Sequence, residues 1–191
     1  MAITEACILA CWLLFVAYWV YWGVKGWSAK PVAERQNWRA YWAYRIPIVL
    51  GGALLVGGPG ARSLAVRLIP PAAAAGYLGA ALCTLGLAGA IWARQTLAAN
   101  WSSEVVFRQG HELIEKGPYR LARHPIYTGL LLMCLGSAVA VGRLSSALGF
   151  VLLVAGFWTK LRQEEALLTR HFPTAYPAYK ARVKGLVPLV L

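Results

Sequence analysis

The densest concentration of chemically able side chains is Gly117-Pro118-Tyr119-Arg120-Leu121-Ala122-Arg123-His124-Pro125-Ile126-Tyr127-Thr128-Gly129. Proline suits the first turn of a helix, where its missing N–H costs nothing, so the spacing predicts a helix beginning at Pro125. The free amides and dipole of that first turn would attract an anion, reinforced by Arg123 and His124 just before it. Tyr119 and Tyr127 add rings with polar tips. The same spacing also describes an ordinary helix start with snorkelling basic side chains.

A second cluster is Lys160-Leu161-Arg162-Gln163-Glu164-Glu165, followed by Leu168, Phe172, Tyr176 and Tyr179. On a helix Lys160, Glu164 and Leu168 share a face and Glu165 is turned about 100° away, so the carboxylates are not expected to form an acid/base dyad. In isolation Lys160 and Glu164 read as a solvated i,i+4 pair worth ~0.3 to 0.5 kcal/mol. A third group, Trp92-Ala93-Arg94 with Asn100-Trp101-Ser102, reads first as interfacial anchoring. The chain has no GxGxxG, no Walker loop, no GxSxG and no Asp, and His111, His124 and His171 lack zinc-site spacing.

The elements that must position these residues are apolar. Of 191 residues 59% are hydrophobic and 14% charged, with 19 Lys+Arg against 7 Asp+Glu and a formal charge of +12; mean hydropathy is +0.56. An ordinary soluble domain and a disordered basic tail are both excluded. Spans are predicted at Ala6 to Val24, Ile46 to Gly58 and Ala72 to Ala93. A tight hairpin of two more, Ile126 to Val141 and Leu144 to Thr159, is divided by Gly142 and Arg143. The segment Lys25 to Arg45, rich in Trp and Tyr, reads as interfacial. The first segment lacks a basic n-region and an A-x-A site after its apolar core, so it reads as a retained span.

With five alternating spans, 5 Lys+Arg in residues 25 to 45, 5 in 94 to 123 and 6 in 160 to 184 share one side, against Arg62, Arg67 and Arg143 on the other. The asymmetry puts the 94 to 123 segment and the C-terminal tail in the cytoplasm, where a site would be built. It also accounts for the basicity without nucleic-acid binding. Cys7, Cys11, Cys83 and Cys134 lie in apolar runs without metal spacing and read as small buried thiols, not a disulfide framework. The expectation is one all-α domain over residues 1–191, with N-terminal spans in 1–93 and a catalytic half in 94–191.

The series His111-Glu112-Leu113-Ile114, Gly117-Pro118-Tyr119 and Arg123-His124-Pro125-Ile126-Tyr127, then Glu164-Glu165 with Leu168, Phe172, Tyr176 and Tyr179, resembles the isoprenylcysteine carboxyl methyltransferase family and its relatives among the phospholipid methyltransferases. The resemblance runs from about Trp92 to Pro188. It implies an S-adenosyl-L-methionine pocket at the cytosolic membrane face, opening laterally to lipid. Its cofactor contacts carry over to His111, Leu113, Ile114, Tyr119, His124, Pro125, Ile126, Tyr127 and Glu164. Substrate contacts are expected at Lys160, Arg123 and Trp101. Lys160 stands where enzymes that methylate a prenylcysteine carboxylate have Arg, keeping the charge without the bidentate fork.

The expected partner is a lipophilic or lipidated acceptor in the membrane, methylated on a carboxylate or, alternatively, on an ethanolamine-type amine. Methyl transfer from a sulfonium is an in-line displacement that needs alignment and water exclusion more than acid/base groups. Membrane sterol reductases, which use NADPH, share an Arg-x-Pro-x-Tyr-like element, but Ile126 stands where they favour Asn. A non-enzymatic membrane scaffold is the remaining alternative.

Overall fold

The computed structural model describes residues 2–24, 32–58, 60–98, 101, 104–108 and 112–186. Among the described residues six α-helices run in the order α1 (Ala2–Val24), α2 (Trp38–Leu55), α3 (Ala73–Leu97), α4 (Pro125–Val141), α5 (Leu144–His171) and α6 (Ala175–Arg182). Two short strands unannounced by any sequence signal, β1 (Val32–Arg35) and β2 (Val106–Arg108), pair antiparallel and bring the segments before α2 and after α3 together. The all-α expectation otherwise holds.

Among the described residues three helices, α1, α3 and α5, are long and apolar enough to cross a membrane, and α4 is apolar but shorter. Their outer faces expose large apolar side chains such as Leu9, Leu13 and Val20 on α1 and Leu78 and Leu85 on α3, the inverse of a soluble helix. The second predicted span is displaced: α2 begins at Trp38, where Asn37 accepts the Ala40 amide at 2.8 Å, and absorbs much of the segment read as interfacial. The side chain of Tyr44 is accordingly buried rather than at a headgroup boundary. The predicted hairpin is present, with Gly142 in the left-handed region at φ 62°. Its second arm runs through Lys160–Glu165 to His171, because those polar residues find buried partners. Trp27 and the rest of 25–31 lie outside the described residues.

Helices pair through small residues. Helix α3 meets α4 where a Cβ on Gly79 would stand 2.6 Å from the Gly136 carbonyl oxygen, and α2 meets α5 where one on Gly51 would stand 2.6 Å from that of Gly149. Such contact is the close backbone approach that small residues permit in lipid. Helix α1 lies across the first pair, with Trp12 Nε1 donating to Ser137 Oγ at 3.0 Å and Cys11 Sγ 3.7 Å from Thr84 Oγ1. All four cysteines are free, and all but Cys7 are buried.

Candidate active site

The two clusters singled out in the sequence meet at one end of the bundle. Helix α4 starts at Pro125, as predicted, with His124 as its cap residue. The opposing wall is the polar half of α5. Because α4 and α5 form a hairpin, the beginning of one lies beside the end of the other, bringing His124 and Glu164 together across the intervening turns.

The imidazole of His124 lies between two carboxylates. Its Nδ1 is 3.4 Å from Glu164 Oε2 and its Nε2 is 3.6 Å from Glu165 Oε1, with His124 only 8% exposed. The ring stacks on Tyr127, centroids 5.4 Å apart and planes within 4°. Tyr127 in turn donates its hydroxyl to Glu164 Oε1 and packs on Phe157 at 5.2 Å. Glu164 and Glu165 thus form no dyad, as expected from their helical offset, yet that same 100° turn places them on opposite edges of one ring.

Burial by itself would push the His124 imidazole down, but the carboxylates beside both nitrogens outweigh it and raise the pKa above the ordinary 6.5. A raised folded value means that the stability contributed by this cation is complete below pH 6.5 and is lost as pH rises through the folded value. Melting temperature followed against pH in detergent is therefore expected to fall above pH 6.5 in the wild type by a component missing from His124→Gln.

Glu165 is the hub that sequence reasoning missed. Only 3% exposed, it accepts from Arg123 Nε at 2.8 Å and Nη2 at 2.5 Å and from Lys180 Nζ at 2.6 Å. Arg123 also donates to the Val183 carbonyl. The Arg123 and His124 amides donate to the carbonyls of Lys184 at 2.8 Å and Gly185 at 3.0 Å, and Thr128 Oγ1 to that of Leu186 at 2.6 Å. The segment after α6 therefore straps the start of α4. Tyr179 fastens it further by donating to the Tyr119 carbonyl at 2.6 Å. The anion-attracting end expected there is correspondingly narrowed, since the Arg123 and His124 amides are already engaged and His124 already faces two carboxylates.

In front of this assembly is a pocket lined by Trp101, Leu113, Ile114, Tyr119, Arg123, His124, Ile126, Tyr127 and Glu164, all named from sequence. Pro125 is buried at the first position of α4 beside it. His111 lies outside the described residues. Lys160 is not part of the lining. It sits behind, 8% exposed, with Nζ 4.0 Å from Glu164 and over the rings of Tyr127 at 5.2 Å and Tyr44 at 5.5 Å. The solvated-pair reading of Lys160 and Glu164 is thus corrected: both are enclosed, and the long helix α5 carries them into the bundle.

Trp101 carries the Arg94 guanidinium over its ring at 4.4 Å and meets Trp19 edge-on at 6.4 Å. The lining residues that the sequence did not disclose are Leu97, Glu104, Val105, Val106 and Leu167, while Glu112, Leu168, Tyr176 and Tyr179 belong to the motif series without an assigned contact. Glu104 and Val105 come from the irregular segment leading into β2, which no periodicity marks. Three carboxylates, Glu104, Glu112 and Glu164, thus share the wall with phenol and indole faces. Among the described residues there is no group of three or more His, Cys, Asp or Glu able to hold a metal ion. Such a wall suits a ligand with cationic and hydroxyl groups.

The family model for phospholipid methyltransferases matches residues 74–175, over half of the chain, from the start of α3 past the end of α5. The chain belongs to the phospholipid methyltransferase family. It is similar to the protein-S-isoprenylcysteine O-methyltransferase of Schizosaccharomyces pombe, 33% identical over 81 residues, covering 42% of this chain and 34% of that protein. Protein-S-isoprenylcysteine O-methyltransferase B of Arabidopsis thaliana is 35% identical over 81 residues, 42% and 41% of the two chains. The nickel-cobalt-cadmium resistance protein NccN of Alcaligenes xylosoxydans xylosoxydans is 29% identical over 114 residues, 59% and 52%. The chain spans about a third to two fifths of the length of the two methyltransferases. The family match includes every element that frames the pocket except α6 and the segment following it.

Proposed function

We propose that this protein is an integral membrane methyltransferase that takes a methyl group from S-adenosyl-L-methionine and places it on a lipid-embedded acceptor, in the manner of a prenylcysteine carboxyl O-methylation. The observation that carries the reading is the convergence of Tyr127, His124 and Glu164 from two apolar helices onto one pocket walled by carboxylates and aromatic faces. Glu164 suits the amino or hydroxyl groups of the donor, and Tyr119, Tyr127 and Trp101 suit its rings and cationic sulfur. When bound, the donor supplies a methyl carbon on a good leaving group, the sulfonium.

The chain's own residues have modest tasks in this chemistry. The apolar walls Leu113, Ile114 and Ile126 exclude water, and the strap over α4 fixes the ring of His124 and, through stacking, that of Tyr127. A carboxylate acceptor is already deprotonated at neutral pH and requires no base. Lys160, behind the wall, sets the charge seen by Glu164 and by an anionic acceptor group. The basic asymmetry of the sequence supports a cytoplasmic orientation for this end of the bundle.

A second acceptor, an ethanolamine-type amine, is favoured by the lining carboxylates Glu104 and Glu112, which would attract its cation. An amine must shed a proton before attack, so its rate would rise with pH where the carboxylate's stays flat.

Calorimetric titration of the detergent-solubilised protein with S-adenosylhomocysteine, beside NADPH, tests the donor. Binding of the former alone is expected, weakened roughly 10- to 100-fold in Glu164→Ala through loss of charge-assisted hydrogen bonds. Binding of NADPH instead would move the protein to a reductase. Binding of neither in folded protein would leave a scaffold.

A further inference from the structure

A second cavity, distinct from the motif pocket, opens between the two glycine-packed helix pairs. Its walls include Trp12 of α1, Gly52 of α2, Leu130 of α4 and Leu153 and Phe157 of α5. At one end Phe157 separates it from Tyr127. At the other, Arg67 and Arg143 line the mouth with Glu5 of α1. Between Phe157 and Arg143, at 1.5 Å per residue along α5, the crevice is ~21 Å long. That is close to the depth of one leaflet, headgroups included, of a bilayer ~40 to 45 Å thick overall.

The mouth is built rather than incidental. Arg67 and Arg143 are held opposite one another by an antiparallel backbone bridge, with the Leu144 amide donating to the Val66 carbonyl at 2.8 Å and the Leu68 amide to that of Gly142 at 2.9 Å. Both side chains are exposed. Arg143 is also the cap residue of α5, whose N-terminal dipole adds positive potential. Two guanidinium groups against one carboxylate leave an excess of positive charge beside an apolar slot, and the guanidinium fork matches phosphate oxygens.

We propose that this crevice binds an anionic phospholipid, one acyl chain lying between the helix pairs and the phosphate held by Arg67 and Arg143, at the membrane face opposite the methyl-transfer pocket. The site is independent of the donor and acceptor assigned above. Its occupant would brace α1, α4 and α5 against each other behind Phe157.

The test uses the full chain in detergent micelles doped with phosphatidylglycerol or phosphatidylcholine brominated in mid-chain, reading quenching of tryptophan fluorescence. The part of the quenching due to Trp12 is isolated by subtracting Trp12→Phe. Half-quenching is expected at a roughly five- to tenfold lower mole fraction of phosphatidylglycerol. The double variant Arg67→Gln/Arg143→Gln should make the two lipids equal. Gly52→Leu, at a position where an added Cβ meets nothing within 4 Å, should fill the slot and reduce quenching by both. Circular dichroism melting checks that each variant is folded. Equal quenching by the two lipids in the wild type, or a preference surviving in the double variant, overturns the headgroup site. Absence of any Trp12-dependent quenching overturns the chain site. Neither outcome bears on S-adenosylhomocysteine binding, which is read separately.

Discussion

Glu165→Ala is expected to destabilise the folded protein by ~3 to 5 kcal/mol, the cost of breaking a buried ion pair from one side. Arg123, whose side chain is 9% exposed, would keep its carbonyl acceptors but lose both contacts to the carboxylate. Lys180, half-exposed, contributes little of this, because an ammonium that reaches water recovers its hydration. The main loss is the knot itself: Glu165 on α5 holds Arg123 at the entrance of α4 and Lys180 on α6 at once. Without it the strap 183–186 loses its anchor to α5.

Thermal unfolding in detergent measures the first effect, and trypsin cleavage after Lys180, Arg182 and Lys184 measures the second. Glu165→Gln retains an acceptor for Arg123 and should fall between the wild type and the alanine variant. An unchanged melting temperature together with lost S-adenosylhomocysteine binding would show instead that Glu165 touches the ligand and has no architectural role.

This network also shows why the sequence disclosed the site only in part. Pro125 as a helix start and the Gly142–Arg143 turn are local signals, readable from residue types, whereas the meeting of the 94–123 segment with the C-terminal tail was legible only from the alternation of spans and the Lys/Arg asymmetry. Residue types likewise marked α1, α3, α4 and α5 as apolar runs. Helix α2 was misplaced because its first turns carry Trp, Arg and Tyr, residues equally suited to an interface; what starts the helix is the Asn37 cap. Glu165 was named without its role as a hub, because helical offset says which face a residue occupies and is silent on what lies across from it. Its partners are 42 residues back along the chain, at Arg123, and 15 ahead, at Lys180. Glu104 and Val105 reach the pocket through the β1–β2 pairing, a contact between segments with no shared pattern.

Gly129 closes the 117–129 motif without touching the pocket, and its replacement should be as damaging as that of Glu165. A Cβ there would stand 2.5 Å from the Gly86 carbonyl oxygen and 2.9 Å from both the Cβ and the amide nitrogen of Ala90. Two of those atoms belong to the backbone of α3, which cannot move without displacing the helix. Gly129→Leu must therefore pry α3 from α4, at a cost of at least ~1 to 3 kcal/mol for overpacking and more where the small-residue seam also opens at Gly79 and Gly136. Helix α4 begins one turn earlier with His124 and Tyr127, so the displacement tilts both rings against Glu164 on α5. The expected result is a lowered melting temperature together with weakened S-adenosylhomocysteine binding, although no ligand-facing atom has been removed. Gly89→Ala on α3 provides the matched control: an added Cβ meets nothing within 4 Å there, and replacing a helical glycine by alanine is expected to be neutral or to stabilise by up to about 1 kcal/mol. If Gly129→Leu melts and binds S-adenosylhomocysteine like the wild type, the close approach of α3 and α4 is not what holds the site.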